Sequence, residues 1–167
     1  MLNLNHSSGP REIELNDASG SPGASSRYVW DVSPDRYKAK DAFGDRNSLW
    51  GSAYGVLPPH LIWFNFIESQ RPAKISFFPR QDDLKYAMQS TPTQFQIIGS
   101  DECSSWADLT DVVHFDPATS LNDERSVDVE RSIPISRAYR CIGLRILAGG
   151  NPNVALSLFR MWVWDGN

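Results

Sequence analysis

SLWGSAYGVLPPHLIWFNF, residues 48–66, is the stretch whose reading decides the fold. Trp50 closes a polar loop, and Gly51, Gly55, Pro58 and Pro59 punctuate the crossing that follows. Proline fixes φ and drives the residue before it into extended backbone, so Pro58-Pro59 leads into a strand. In that strand Leu61, Trp63 and Asn65 alternate with Ile62, Phe64 and Phe66. Both faces are largely apolar, which predicts a strand buried on both sides inside a sandwich. A second β-rich run, Lys74–Phe78, is expected after a short polar turn.

Downstream, Gln94–Gly99 alternates as a strand, and Trp106 and Leu109 are expected to fold back on the core. Arg125–Arg131 alternates cleanly, with Val127 and Val129 inward and Ser126, Asp128 and Glu130 outward as a solvated face. Tyr139–Leu147 and Val154–Trp164 are the last strands, separated by the turn residues Ala148–Asn153. Upstream, Arg11–Leu15 reads as an edge strand within Gly/Ser/Pro-rich loop sequence that extends over Ala18–Ser26. Ser33-Pro34-Asp35 reads as the start of one short helix, Asp35 to Ala42, ended by Gly44. No βαβ alternation and no repeat appears. With Arg27–Asp31, which also has strand character, the expectation is an all-β, eight-stranded jelly-roll β-sandwich with one short helix. Residues 1–26 form an N-terminal arm with the edge strand, and residues 27–167 the sandwich domain.

A net charge of −4 over 167 residues opposes nucleic-acid binding, which asks for a basic face. No apolar run is long enough for a membrane span. The opening residues MLNLNHSSGPREIELND lack a basic start followed by an apolar core, so no signal peptide is read there. Two cysteines, Cys103 and Cys141, are too few for a disulfide framework. The plainer reading is two free thiols; joined, they would close a loop of roughly 40 residues and stabilise by about 3–4 kcal/mol. His6, His60 and His114 lie far apart, and no nucleophile setting, phosphate cradle or metal-spaced histidine pair appears, so no enzyme is expected.

The order of motifs resembles the discoidin, or coagulation factor 5/8 type C, domains. Ala42-Phe43-Gly44-Asp45-Arg46-Asn47-Ser48-Leu49-Trp50 is similar to their A-F-D-G…T/S-x-W loop, and Pro59–Phe66 to their P-x-W-I-x-I-D-F strand. Ala73–Phe77 sits where these domains carry the next strand. Gln94–Asp101 with Trp106 and Leu109 is similar to F-x-I-x-G-S-x-D…W…L, and Tyr139–Ile146 to Y-R-Y-I-R-L-x-I. Val154–Asp165 matches the closing strand, so the resemblance spans roughly Arg27 to Gly166. It implies a galactose-binding-like jelly roll, non-catalytic binding of glycans, phospholipid headgroups or proteins, and an extracellular or cell-surface setting.

Ligand contact in that family comes from loops at one end, which map here to Asp31–Tyr37, Gly44–Leu49 and Arg80–Ser90. The last combines an arginine, carboxylates and an aromatic, the mixture that hydrogen-bonds sugar hydroxyls and stacks on a sugar face. The ligand-binding residues so assigned are Arg80, Asp82, Asp83, Tyr86, Tyr37, Arg46 and Trp30. Calcium, as Ca2+, would draw on Asp45, Asn47 and Ser48, since it takes oxygen ligands. The family's Asp-Gly stands here as Gly44-Asp45, however, and Arg160 occupies the position of its closing acid. The expected function is a carbohydrate-binding module or lectin. The alternative is a protein-interaction or adhesion domain of a larger receptor or complex, with phospholipid binding disfavoured because Asp82 and Asp83 repel anionic lipid. Partners are therefore a glycan or a protein, and the sequence is silent on oligomeric state.

Trp50, Trp63, Trp106 and Trp162 match apolar core positions and are expected to be packing residues.

Overall fold

One strand joins the two layers of this protein. The computed structural model describes residues 9–27, 29, 34–45, 48–80, 89–116, 124–129, 137–149 and 153–165. Its strands are β1 (Arg11–Ile13), β2 (Gly20–Ala24), β3 (Leu49–Gly51), β4 (His60–Pro79), β5 (Pro92–Ser100), β6 (Ala107–Asp108), β7 (Val113–His114), β8 (Arg125–Asp128), β9 (Tyr139–Gly149) and β10 (Ala155–Trp164). The all-β jelly-roll reading stands. The described total is ten, because β2 and the short strands β3, β6 and β7 add to the expected set while two expected strands are one in β4.

The polar turn expected between Phe66 and Lys74 is absent: β4 runs through it as one 20-residue strand. Its first half pairs antiparallel with β2 on one side and β9 on the other, from His60↔Ile146 to Asn65↔Cys141. Its second half pairs with β10, from Arg71↔Trp164 to Pro79↔Leu156, and with β8. The register against β9 breaks between Asn65 and Gln70, where the strand leaves one layer for the other. β5 extends the first layer beyond β9, and β1 and β3 extend the second along β10. The ten described strands thus form one antiparallel sheet folded over at β4.

Ile62, Phe64 and Phe66 share a core with Ile75, Phe77, Phe95, Ile142, Leu144, Phe159 and Met161. Phe77 meets Phe95 edge-on across the layers at 5.1 Å between ring centres. Phe43 bridges Phe64 and Phe159 at 5.5 and 4.9 Å.

Several expectations are corrected. Leu61, Trp63 and Asn65 are half-buried, so this stretch of β4 has one core face. A two-layer sandwich has only two inner faces, and Trp63 is shielded from outside by Trp106, ring centres 5.4 Å apart. Of the four tryptophans read as core, only Trp50 is fully buried. Trp162 lies half-buried on the outer face of the second layer, under Lys74 and Arg160 at 3.9 and 4.8 Å. The short helix is a 3-10 turn over Ala39–Phe43, with the Lys38 backbone N–H donating to Asp41 at 2.8 Å. The Gly/Pro-rich loop sequence before Ser25 contains β2, because small residues let its backbone pair beside a bulky neighbour. A Cβ on Gly23 would lie 2.4 Å from the Trp63 ring. Cys103 and Cys141 are joined as a disulfide with Cα atoms 5.4 Å apart, tying the loop after β5 to β9.

Val127 and Val129 point inward and Ser126 and Asp128 outward, as alternation requires. Glu130 lies outside the described residues.

The seam between β4 and β9 depends on Gly143. A Cβ there would sit 2.1 Å from the Ile62 carbonyl oxygen and 2.7 Å from Trp63 Cα. Gly143→Ala should therefore lower stability by about 1–3 kcal/mol, as overpacking does, and shift the urea midpoint downward at unchanged slope. An unchanged midpoint would mean the strands lie farther apart than described.

Candidate functional site

The sandwich has two ends, and different chemistry collects at each. At the first, which we call the proline end, lie Pro58-Pro59, the close of β4 at Pro79 and the start of β5 at Pro92. The second is the disulfide end, where β5 closes at Ser100 against Cys141.

The proline end is braced from within. Ser52, fully buried, donates its backbone N–H to the Val154 carbonyl at 2.9 Å and accepts the Val154 N–H on Oγ at 3.0 Å. Trp50 Nε1 donates to the Ser26 carbonyl at 2.9 Å, and the Ala53 N–H donates to Ser26 Oγ at 3.1 Å. These bonds hold up a loop whose tip projects Tyr54, Val56 and Leu57 into solvent, Leu57 at 84% exposure. The exposure of Tyr54, flanked by small residues, was legible in Gly51–Gly55.

Of the residues assigned to ligand binding, Arg80 lies half-buried one residue past β4, and Tyr37 is buried at 8% exposure. Tyr37 bridges to Trp50 and packs with Leu49 and Ala155, with a left-handed φ of 63°. Its rim is nevertheless part of a shallow cavity of about 130 Å³ shared with Asp35, Arg36, Asp41 and Ser48. The Arg36 guanidinium lies 5.1 Å from the Tyr37 ring centre. Lys38 pairs with Asp35 at 2.7 Å and holds its carboxyl below the usual carboxylate range. Arg36 and Asp41 were not assigned a role by sequence; their signal was the charge density of Asp35–Asp41. Asp82, Asp83, Tyr86, Arg46 and Trp30 lie outside the described residues. What the described part offers is donors, carboxylate acceptors and an aromatic edge on a shallow surface, a set suited to hydroxyl groups.

The corner considered for calcium has different chemistry. Asp45 Oδ1 accepts the Ser48 N–H at 3.0 Å, and Asn47 lies outside the described residues. Arg160 shares a cavity with Gly44 and Glu12. Its Nε and Nη2 donate to the two Glu12 oxygens at 2.7 and 2.8 Å, and Nη1 to Glu124 at 3.2 Å. Ser76 Oγ donates to the same Glu124 carboxylate. The Arg160 hydrogen bonds hold the Glu12 carboxyl below its usual range. A guanidinium that engages Glu12 and Glu124 beside Gly44 is a poor neighbour for a divalent cation. Among the described residues no three acid, histidine or cysteine side chains converge.

His60, at the head of β4, is 2% exposed, and burial lowers its pKa, keeping the imidazole neutral.

No family model matches the sequence, and no curated protein matches it. Solved structures do match in fold. A family 32 carbohydrate-binding module from Clostridium perfringens, in complex with GalNAc-β-1,3-galactose, superposes with a TM-score of 0.71 at 16% identity, covering 90% of this chain and 99% of that one. The family 32 module of C. perfringens NanJ, in complex with galactose, gives 0.69 at 12% identity, with 92% and 98% covered. A chitosan-binding module of a Paenibacillus chitosanase/glucanase gives 0.66 at 18% identity, with 92% and 99% covered. These modules have the discoidin, galactose-binding-like fold that the motif order implied.

Two outcomes are expected here. Millimolar calcium and EDTA should each leave the melting temperature unchanged; a calcium-dependent rise would establish a site that Arg160 does not block. The second concerns His60, whose folded pKa is lowered, so the unfolded chain takes up its proton first as pH falls. Its contribution to stability is complete above about pH 6.5 and is lost as pH drops from there towards the lowered folded value. Urea unfolding from pH 7.5 to 5.5 should show that loss, and His60→Gln should flatten it; an identical slope in both proteins would remove His60 as the cause.

Proposed function

We propose that this chain is a non-catalytic carbohydrate-binding module that holds a glycan through loops at the proline end. The observation that carries this reading is the fold match over nine-tenths of the chain to modules crystallised with galactose and GalNAc-β-1,3-galactose. The exposed chemistry of the proline end agrees with it: arginine and carboxylate groups beside aromatic surface, in a shallow cavity rather than a deep one. The assigned contacts are Arg80, Asp82, Asp83, Tyr86, Tyr37, Arg46 and Trp30. Arg80 and the carboxylates bond hydroxyl groups, and a ring covers the apolar sugar face. The non-catalytic part of the reading is supported by the fold neighbours, which are carbohydrate-binding modules.

A second reading, a protein-interaction domain, has one observation in its favour. Tyr54, Val56 and Leu57 form an exposed apolar tip at the same end, of the kind that anchors protein contacts.

A glycan array that includes galactose- and GalNAc-terminated structures separates the two. Binding is expected, and Arg80→Ala or Tyr86→Ala should abolish it at the proline end while stability stays within about 1 kcal/mol. A folded protein with no array hit, but with a stable protein partner lost on Leu57→Asp, would replace the first reading by the second.

A further inference from the structure

The disulfide end carries an open cavity of about 320 Å³ that none of the assigned ligand residues touches. Its walls are the loop after β5, with Asp101, Glu102, Ser105 and Trp106, and the entry to β9, with Arg137 and Tyr139. The geometry points to a second carbohydrate subsite here, for a neutral hexose; this rests on the carbohydrate-binding reading above.

The cavity is built up from its walls. Gly99 lacks a side chain, and a Cβ there would lie 2.7 Å from the Tyr139 ring, so the glycine seats that ring against β5. The Arg137 guanidinium sits 5.0 Å from the Tyr139 ring centre and donates to the Asp101 carboxylate. Trp106 is held from behind by Trp63. The Cys103–Cys141 disulfide then joins the two walls covalently, since Cys103 lies within the loop and Cys141 two residues past Tyr139. Ligand groups held in place before binding lose less freedom on association. The Ser100 Oγ, which accepts the Glu102 N–H at 3.3 Å, adds a further local brace.

The chemistry selects the ligand class. Trp106 is partly exposed at the wall, and a sugar's C–H face packs on such a ring, while Tyr139, held between Gly99 and Arg137, backs the guanidinium. The exposed Arg137–Asp101 pair presents donors and acceptors side by side, the requirement for adjacent hydroxyls. Two carboxylates stand against one guanidinium, so the wall is net negative and disfavours a sialic or uronic acid. β5 separates this cavity from the proline end: eight steps of about 3.3 Å from Pro92 to Ser100 make roughly 26 Å. Two such points on one chain would engage a branched or polymeric glycan with avidity and no dimer.

The test is an amide and indole NMR titration of the intact, oxidised protein with galactose, GalNAc-β-1,3-galactose and N-acetylneuraminic acid. Saturable shifts are expected for the Trp106 indole N–H and for residues 99–107 with the two neutral sugars, and these should persist in Arg80→Ala. Arg137→Ala and Asp101→Asn, both at exposed positions, should weaken that set about tenfold or more, as loss of a charged hydrogen bond does. Shifts confined to the proline end, with residues 99–107 silent, would overturn the second subsite and leave the carbohydrate-binding reading intact. Saturation at residues 99–107 by N-acetylneuraminic acid alone would overturn the neutral-sugar assignment. No saturable shift anywhere, together with an empty glycan array, would overturn both.

Discussion

The backbone hydrogen bonding of β4 is the constraint on which the other elements depend. One strand of 20 residues supplies partners to β2 and β9 in its first half and to β8 and β10 in its second. Because it belongs to both layers, their separation and relative direction are set within a single covalent segment. Ile62, Phe64 and Phe66 then meet Phe77, Phe159 and Met161 in the space between. Gly143 allows β9 to approach closely enough to complete the seam.

The two outer faces show how aromatic residues leave the core without being left bare. Trp63 and Trp106 cover one another on the first layer. On the second, Trp162 is roofed by Lys74 and Arg160, and Arg160 is fixed by Glu12 and Glu124. That network joins β1, β10 and the approach to β8 on the solvent side. It also puts a cation beside the Gly44 corner.

The two ends divide the remaining work. The proline end is braced through Ser26, Ser52 and Trp50 and exposes an apolar tip beside a polar cavity. The disulfide end places rings, an arginine and carboxylates around a cavity whose walls are covalently linked. Both ends expose hydrogen-bonding groups beside aromatic side chains.

By itself the sequence determined the fold class and the inward set of Val127 and Val129. Period-two alternation and Gly/Pro punctuation are local properties, and a strand long enough to repeat them announces itself. The tertiary structure decided what local pattern cannot carry. Leu61 and Trp63 look as apolar as their neighbours, but a two-layer sandwich leaves their side outside. Glu68-Ser69-Gln70 reads as a turn, yet its flanks are held extended by partners distant in sequence, Ile67 by Ser19 and Gln70 by Tyr139. Cys103 and Cys141, 38 residues apart, pair only because β5 and β9 run side by side. The disulfide-end cavity was invisible for the same reason: Asp101, Trp106, Arg137 and Tyr139 come from two segments that only the β5–β9 register brings together.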